Sequence, residues 1–330
     1  MSSVQKKARI SNASNGESRS ASASSAPASS PLHLLRKAMQ ERGLSAYLVE
    51  TQDAHQSEYV ADHDKRREWL TGFTGSAGTA LVTSSKALMW TDGRYFLQAS
   101  QQLSADWTLM RLGEQGVLSL EQWLEQEAAA AVRDTEAAAA AVGGKGEAGK
   151  DTAGPGEKPA SFAAVVAAAA AAGERITTAT STIGGGTVRD GAGTGGFRVG
   201  VDPWLLSAGT ARTLTSKLTK SGGCLVPVSG NLVDAVWADQ PPVPQRPVRI
   251  HPVKFAGVAV PEKLAAVRKL VVEERASSLV VMAMDEVAWL FNIRGSDILF
   301  NPVAIAAALL TQEDASLFID AAKLGEDVRQ

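Results

Sequence analysis

The chain has 330 residues, 45% of them hydrophobic, with a formal net charge of -2. That length fits two ordinary domains or one large one, and the near-neutral balance argues against nucleic acid or an anionic membrane surface as partner. No stretch approaches the roughly 20 consecutive apolar residues of a membrane span. Cys224 is the single cysteine, which excludes a disulfide framework and a multi-cysteine metal site and suits a reducing compartment.

Residues 1–30 are rich in Ser and Ala and carry Lys6, Lys7, Arg9 and Arg19 against one acid, Glu17. Such a composition cannot bury a core and predicts a disordered tail. It also fits the basic, Ser-rich pattern of an organellar transit peptide, the alternative to a cytoplasmic location. Order is expected from Ser30-Pro31, an N-cap followed by proline at the first helical position. Leu34, Leu35, Ala38 and Met39 then recur at helical spacing, and Gly43 ends the helix. Residues 46–49 read as a buried strand, 78–82 and 87–91 as two strands joined by a turn, and 95–101 as a helix. Ser119 and Gln122 form a capping box for a further helix through Trp123 and Leu124.

Composition changes after Glu127. Residues 127–196 are mostly Ala, Gly, Thr, Lys and Glu and read as a low-complexity insertion or linker without assigned function. Folding signals resume with a strand at 198–201, a helix over 208–220 and a strand at 224–227. Leu232, Val233, Val236 and Trp237 share one helical face. Pro241, Pro242, Pro244 and Pro247 make a stiff connector, so the expected units are 31–240, interrupted by the insertion, and 241–330. In the second unit Pro261 opens a helix with Leu264, Val267, Leu270 and Val271 toward a core. Residues 278–283 read as a buried strand, Asp285 as a cap for a helix over 286–292, 303–310 as an apolar run and 315–319 as a strand. Helices and strands alternate in both units, which predicts an α/β fold with partly parallel sheets.

The densest polar cluster contains Asp53, His55, Glu58, Asp62, His63 and Asp64. These residue types can ligate zinc or manganese, but their spacing fits no metal motif, and a solvated loop with hydrogen-bonded histidines is the plainer reading. Gly72, Gly75 and Gly78 have the spacing of a phosphate loop, yet no Lys-Ser/Thr follows and a strand rather than a helix comes next. Ser76 lacks the strand-turn-helix context of a nucleophile elbow, and Cys224 opens an apolar strand, as a core residue does. Two stretches set an Arg and an Asp beside aromatic residues: 89–98, with Asp92, Arg94 and Tyr95, and 285–297, with Arg294 and Asp297. Turn capping with local pairing explains both. An arginine clamp on a carboxylate or on a neighbouring subunit is the functional alternative.

These stretches, together with Asp53 through Tyr59, Gly75 through Ala80, Asn231 through Asp234, Trp237 and Asn301-Pro302, resemble the eukaryotic-type Xaa-Pro aminopeptidases of the pita-bread metallopeptidase family. The resemblance implies two ribonuclease H-like, creatinase N-terminal-type domains, the second truncated, with no pita-bread catalytic domain in the chain. In that family a C-terminal domain supplies two aspartates, a histidine and two glutamates to two manganese ions, which activate water for cleavage before proline. The metal-ligand motifs are expected beyond Gln330, so no catalytic or metal residue is carried over and no cofactor is expected in this chain. The implied role is a non-catalytic front portion serving oligomerisation and active-site access. The parent enzyme would take proline-containing peptides, and the partners would be a second copy or a full-length relative. A stand-alone peptide- or protein-binding module is the alternative. His55, Arg94, Tyr95, Arg294 and Asp297 are the substrate or interface candidates.

Overall fold

The computed structural model describes residues 30–142 and 196–329. The expectations for 1–29 and for 143–195 lie outside the described residues.

Helix α1 (Pro31–Glu41) starts where expected: the Ser30 side chain accepts from the His33 N–H, and Leu32, Leu35 and Met39 form its buried stripe. Strand β1 (Ala46–Val49) is buried at every position. Helix α2 (Arg66–Thr71), unforeseen in the sequence, closes on Gly72 at φ 75°, a left-handed conformation that suits glycine. Then come β2 (Thr79–Thr83), β3 (Ala87–Thr91), α3 (Phe96–Gln102), β4 (Thr108–Arg111) and α4 (Leu120–Val142). After the undescribed stretch follow β5 (Arg198–Val201), α5 (Ala208–Lys220) and β6 (Cys224–Pro227).

The six strands order as β4-β3-β2-β1-β5-β6. Strand β2 runs antiparallel to β1 and β3, while β1 with β5, β5 with β6 and β3 with β4 pair in parallel. Side chains alternate between two cores, as strand geometry requires. Tyr47, Val49, Ala80 and Met89 face α1 and the buried Phe73. Leu48, Leu81, Leu88 and Trp90 face α4 and α5 through Trp123, Leu124, Leu214 and Leu218. Burying one such large side chain is worth about 1.5–3 kcal/mol.

The second unit contains β7 (Arg249–Ile250), α6 (Val253–Ala256), α7 (Val260–Glu273), β8 (Ser278–Val281), α8 (Met284–Leu290), β9 (Ile293–Arg294), β10 (Ala306–Thr311), β11 (Ala315–Ile319) and α9 (Glu326–Arg329). Strands β11-β10-β8 form one sheet, and β7 pairs with β9. Both pairings of the three-stranded sheet are antiparallel, against the expectation of parallel strands in this unit.

Five local expectations are corrected. Helix α4 continues to Val142, so the residues from 127 to 142 are helix rather than linker. The capping box starts it, with Ser119 N–H donating to Gln122 Oε1 at 2.9 Å and Gln122 N–H to Ser119 Oγ at 3.3 Å. Alanine has the highest helix propensity, and small side chains let α4 lie on the diglycine after α5. A Cβ at Gly223 would sit 3.1 Å from the Ala128 Cβ and 2.8 Å from the Phe197 carbonyl. Leu232, Val233 and Trp237 are buried, but in successive turns rather than a helix. Leu270 on α7 is exposed, as are the first three residues of β8. Asp285 lies in the first turn of α8 without capping it; the N-cap is Ala283.

Ala128→Asp should lower stability by about 3 kcal/mol, because it buries an uncompensated charge. Arg133→Ala, on the exposed face of α4, should change it by less than about 0.5 kcal/mol. Urea midpoints of the two variants measure both.

Candidate functional site

The loop leaving β1 is shaped by Asp53, which is 3% exposed and accepts from the backbone N–H groups of His55 (2.9 Å) and Ser57 (3.0 Å). Gln56 adopts φ 59°, and its side-chain amide donates to the Leu205 carbonyl at 2.9 Å. This fixed turn sends His55 across to the second unit, where Nδ1 lies 2.7 Å from the Met282 carbonyl oxygen. His63 Nδ1 lies 2.7 Å from the carbonyl oxygen of Pro241, in the proline connector. A carbonyl only accepts, so Nδ1 carries the proton in both rings.

Asp62 and Asp64 of this cluster are also engaged. Asp62 pairs with Lys65 at 2.7 Å, Asp64 with Arg66 at 2.8 Å, and Arg66 with Asp234 at 2.7 Å. Among the described residues no group of three or more His, Cys, Asp or Glu side chains is placed to hold a metal ion. With Asp62 and Asp64 paired to cations, Asp53 taken up by backbone N–H groups and both imidazole Nδ1 atoms set against carbonyls, the cluster does not fit a dinuclear metal centre.

Arg94 and Asp92 form a local bidentate pair: Arg94 Nε and Nη2 each donate to the carboxylate at 2.9 Å, and the Arg94 backbone N–H donates at 3.0 Å. The Arg94 guanidinium holds the Asp92 carboxyl down at about 2, with the backbone hydrogen bond adding to the effect. Tyr95 turns inward, its hydroxyl 2.8 Å from Ser76 Oγ and its ring edge-on to Phe73. The glycine spacing here serves packing, since a Cβ at Gly75 would sit 2.8 Å from Tyr95 Cδ1.

Arg67 holds the same loop from below and was not legible in the sequence. Its guanidinium donates to the carbonyls of Phe73 (3.0 Å) and Gly75 and lies 4.7 Å above the Phe73 ring. Burial pushes it down to about 10.

Arg294 and Asp297 do not pair. Arg294 Nη1 donates to the carbonyls of Ala288 (3.0 Å) and Ile293 (2.8 Å). Asp297 is buried against Lys323 Nζ at 2.7 Å and accepts from the Ile305 N–H at 2.8 Å. Lys323 lies in a polar-looking tail segment, and nothing in its neighbours predicts its burial.

Between the units lies a cleft of about 650 Å³, with His55, Glu58 and Tyr59 on one side and Met284, Asp285 and Phe300 on the other. A smaller hollow of about 250 Å³ is lined by Glu58, Tyr59, Arg67, Ser76 and Phe300. Phe300 is 98% exposed at φ 62°, a conformation in which a bulky residue is strained. Of the sequence candidates only His55 lines this cleft; Arg94, Tyr95, Arg294 and Asp297 do not.

A model of the creatinase/prolidase N-terminal domain matches residues 32–147, and a second model of the same description matches residues 239–330. The chain belongs to the creatinase/prolidase N-terminal domain family. It is 36% identical over 297 residues to a probable Xaa-Pro aminopeptidase P of Coccidioides posadasii (strain RMSCC 757 / Silveira), covering 90% of this chain and 38% of that protein. It is 38% identical over 295 residues to a probable Xaa-Pro aminopeptidase P of Aspergillus clavatus, covering 89% and 35%. The X-prolyl aminopeptidase of Caenorhabditis elegans, described as a cytosolic enzyme with a di-nuclear active site, superposes with a TM-score of 0.67 at 29% identity. That match covers 91% of this chain and 40% of the worm protein. The chain thus spans well under half the length of these relatives.

A further hollow of about 320 Å³ lies at the strand ends of the first creatinase-type domain and holds Glu50. Burial raises the Glu50 pKa above 4.5, the Thr79 hydroxyl lowers it and Glu121 raises it. The folded state therefore binds a proton more tightly than the unfolded chain does. Stability should fall as pH rises from the ordinary glutamate value through the raised one. Glu50→Gln should remove that loss, seen in urea midpoints between about pH 4 and 8.

Lys323→Ala leaves Asp297 buried without a cation and should cost about 3–5 kcal/mol in the same assay. Arg94→Ala, which removes an exposed pair, should leave the urea midpoint nearly unchanged.

Proposed function

We propose that the chain is the front, non-catalytic portion of an Xaa-Pro aminopeptidase-type metallopeptidase, serving oligomerisation and access to a dinuclear metal site carried elsewhere in the polypeptide. The observation that carries this reading is how the candidate polar groups are used. His55, Asp92, Arg94, Arg294 and Asp297 are all taken up in internal hydrogen bonds or ion pairs. The much greater length of relatives 36–38% identical to it supports the same reading. The parent reaction is manganese-dependent release of the N-terminal residue from Xaa-Pro peptides, in the cytoplasm. Among the described residues no helix is long and apolar enough to cross a membrane.

A stand-alone peptide- or protein-binding module is the second reading, and the cleft favours it. Exposed Tyr59, Leu299 and Phe300 give its mouth an apolar rim, with Glu58 and Asp285 beside them. Aromatic anchors of this kind carry much of the energy at binding surfaces.

The purified chain should release no N-terminal residue from an Xaa-Pro peptide, with or without added manganese. Turnover that depends on manganese, survives repurification and scales with this chain would overturn the leading reading. Saturable binding of a proline-containing peptide, lost in Phe300→Ala, would favour the second.

A further inference from the structure

Residues 240–247 read Gln-Pro-Pro-Val-Pro-Gln-Arg-Pro, and 241–247 form neither helix nor strand. Each proline fixes its own φ at about −65° and drives the residue before it to extended backbone. Only Gln245 is neither a proline nor followed by one, so residue type alone favours a polyproline II helix along the connector. Its ends are pinned. The Pro241 carbonyl accepts from His63 Nδ1 at 2.7 Å, and the N–H groups of Arg246 and Val248 donate to Asp297 Oδ1 (3.3 Å) and the Lys323 carbonyl (2.9 Å).

A polyproline II helix repeats at every third residue and so has three edges. Pro242 and Gln245 lie on one, which is tied back to the molecule by the Gln245 amide donating to Asp320 Oδ2 at 3.1 Å. Val243 and Arg246 lie on the second, and both are exposed. Pro241 and Pro244 lie on the third, half-buried beside a groove of about 520 Å³ that Asp62 and His63 also line. Among the described residues the carbonyls of Pro242, Val243 and Pro244 accept no hydrogen bond, and the Arg246 guanidinium makes neither a hydrogen bond nor an ion pair. A stiff spacer needs the prolines. It needs neither an exposed valine between them nor an unpaired cation two residues after Pro244.

We propose that the connector from Pro241 to Arg246 is the ligand of an SH3-type domain, whose aromatic-lined groove takes Pro241, Val243 and Pro244 and whose acidic end takes Arg246. Extended Pro-x-x-Pro segments dock in such grooves. Polar hydrogens of the groove's aromatic side chains donate to the free carbonyls, and a carboxylate at its end forms the charge-assisted pair that Arg246 lacks. Because the segment is already held at both ends, little of its freedom is lost on binding. The tie from Gln245 to Asp320 does not obstruct docking, since it occupies the edge turned away from the groove.

The test screens a panel of SH3 domains, with WW domains as controls, against a synthetic peptide of residues 238–249. The tightest SH3 binder is then titrated with the whole chain, which should bind it 1:1 with an affinity within about tenfold of the peptide's. Arg246→Gln should weaken that binding at least about tenfold and leave the urea midpoint of the chain unchanged, because the side chain has no polar partner in the fold. Pro242→Ala, on the edge turned away, should change the affinity less than about threefold. A panel in which no SH3 domain binds the peptide overturns the proposal, as does binding by the WW domains alone. So does an SH3 domain that binds the peptide but not the whole chain, or an affinity that Arg246→Gln leaves unchanged.

Discussion

Strand β1 has neighbours on both edges and side chains packed on both faces, so all four of its residues are buried. Tyr47 and Val49 point to one core and Ala46 and Leu48 to the other. That double burial determines where the chain can leave the sheet. In the loop after Val49, Asp53 is buried and its carboxylate closes the turn that presents His55.

The two units are joined by ordinary means. The His55 and His63 hydrogen bonds reach Met282 and Pro241, and Ala61 packs into an apolar cluster with Met284, Ala288 and Ile298. Gln240 adds a side-chain bond to the His63 carbonyl at 3.0 Å and one to Asp234 at 2.9 Å. Residues that looked like metal ligands thus serve as couplings, and the cleft takes its shape from them. Asp297 does comparable work inside the second unit, where its buried pair with Lys323 ties the tail to the turn before β10. A buried pair of this kind adds little net stability but makes each partner indispensable to the other.

The unequal covering of the two sheets bears on how these domains assemble. A three-stranded sheet with one bare face has little core of its own, and α7 leaves Leu270 and Val272 in solvent as well. The first unit, with six strands and helices on both faces, is self-sufficient by the same measure.

Sequence by itself determined the local elements whose signals are short-range. The Ser30 cap, the capping box at Ser119, the helix over 208–220 and the strands at 46–49, 87–91, 198–201 and 224–227 follow from residue type and spacing. The family was legible for a related reason, because turn residues and aromatic residues held at given offsets survive as recognisable stretches. The candidate site was legible only in part: His55 lies at the cleft, but Asp297 and Arg294 do not meet, and Arg67 and Lys323 were missed. Tertiary structure decided those: Lys323 reaches Asp297 across 26 positions, and Arg67 meets the carbonyls of Phe73 and Gly75 only because the chain reverses at Gly72. It also decided how the alanine run after Glu127 is used, because Ala128 packs closely on Gly223 and into the core cluster with Leu214 and Leu218. Most of all it decided which apolar strand faces are covered. Residue spacing gives Leu48 and Val280 equivalent places, and only the presence or absence of a neighbouring layer separates a core residue from an exposed one.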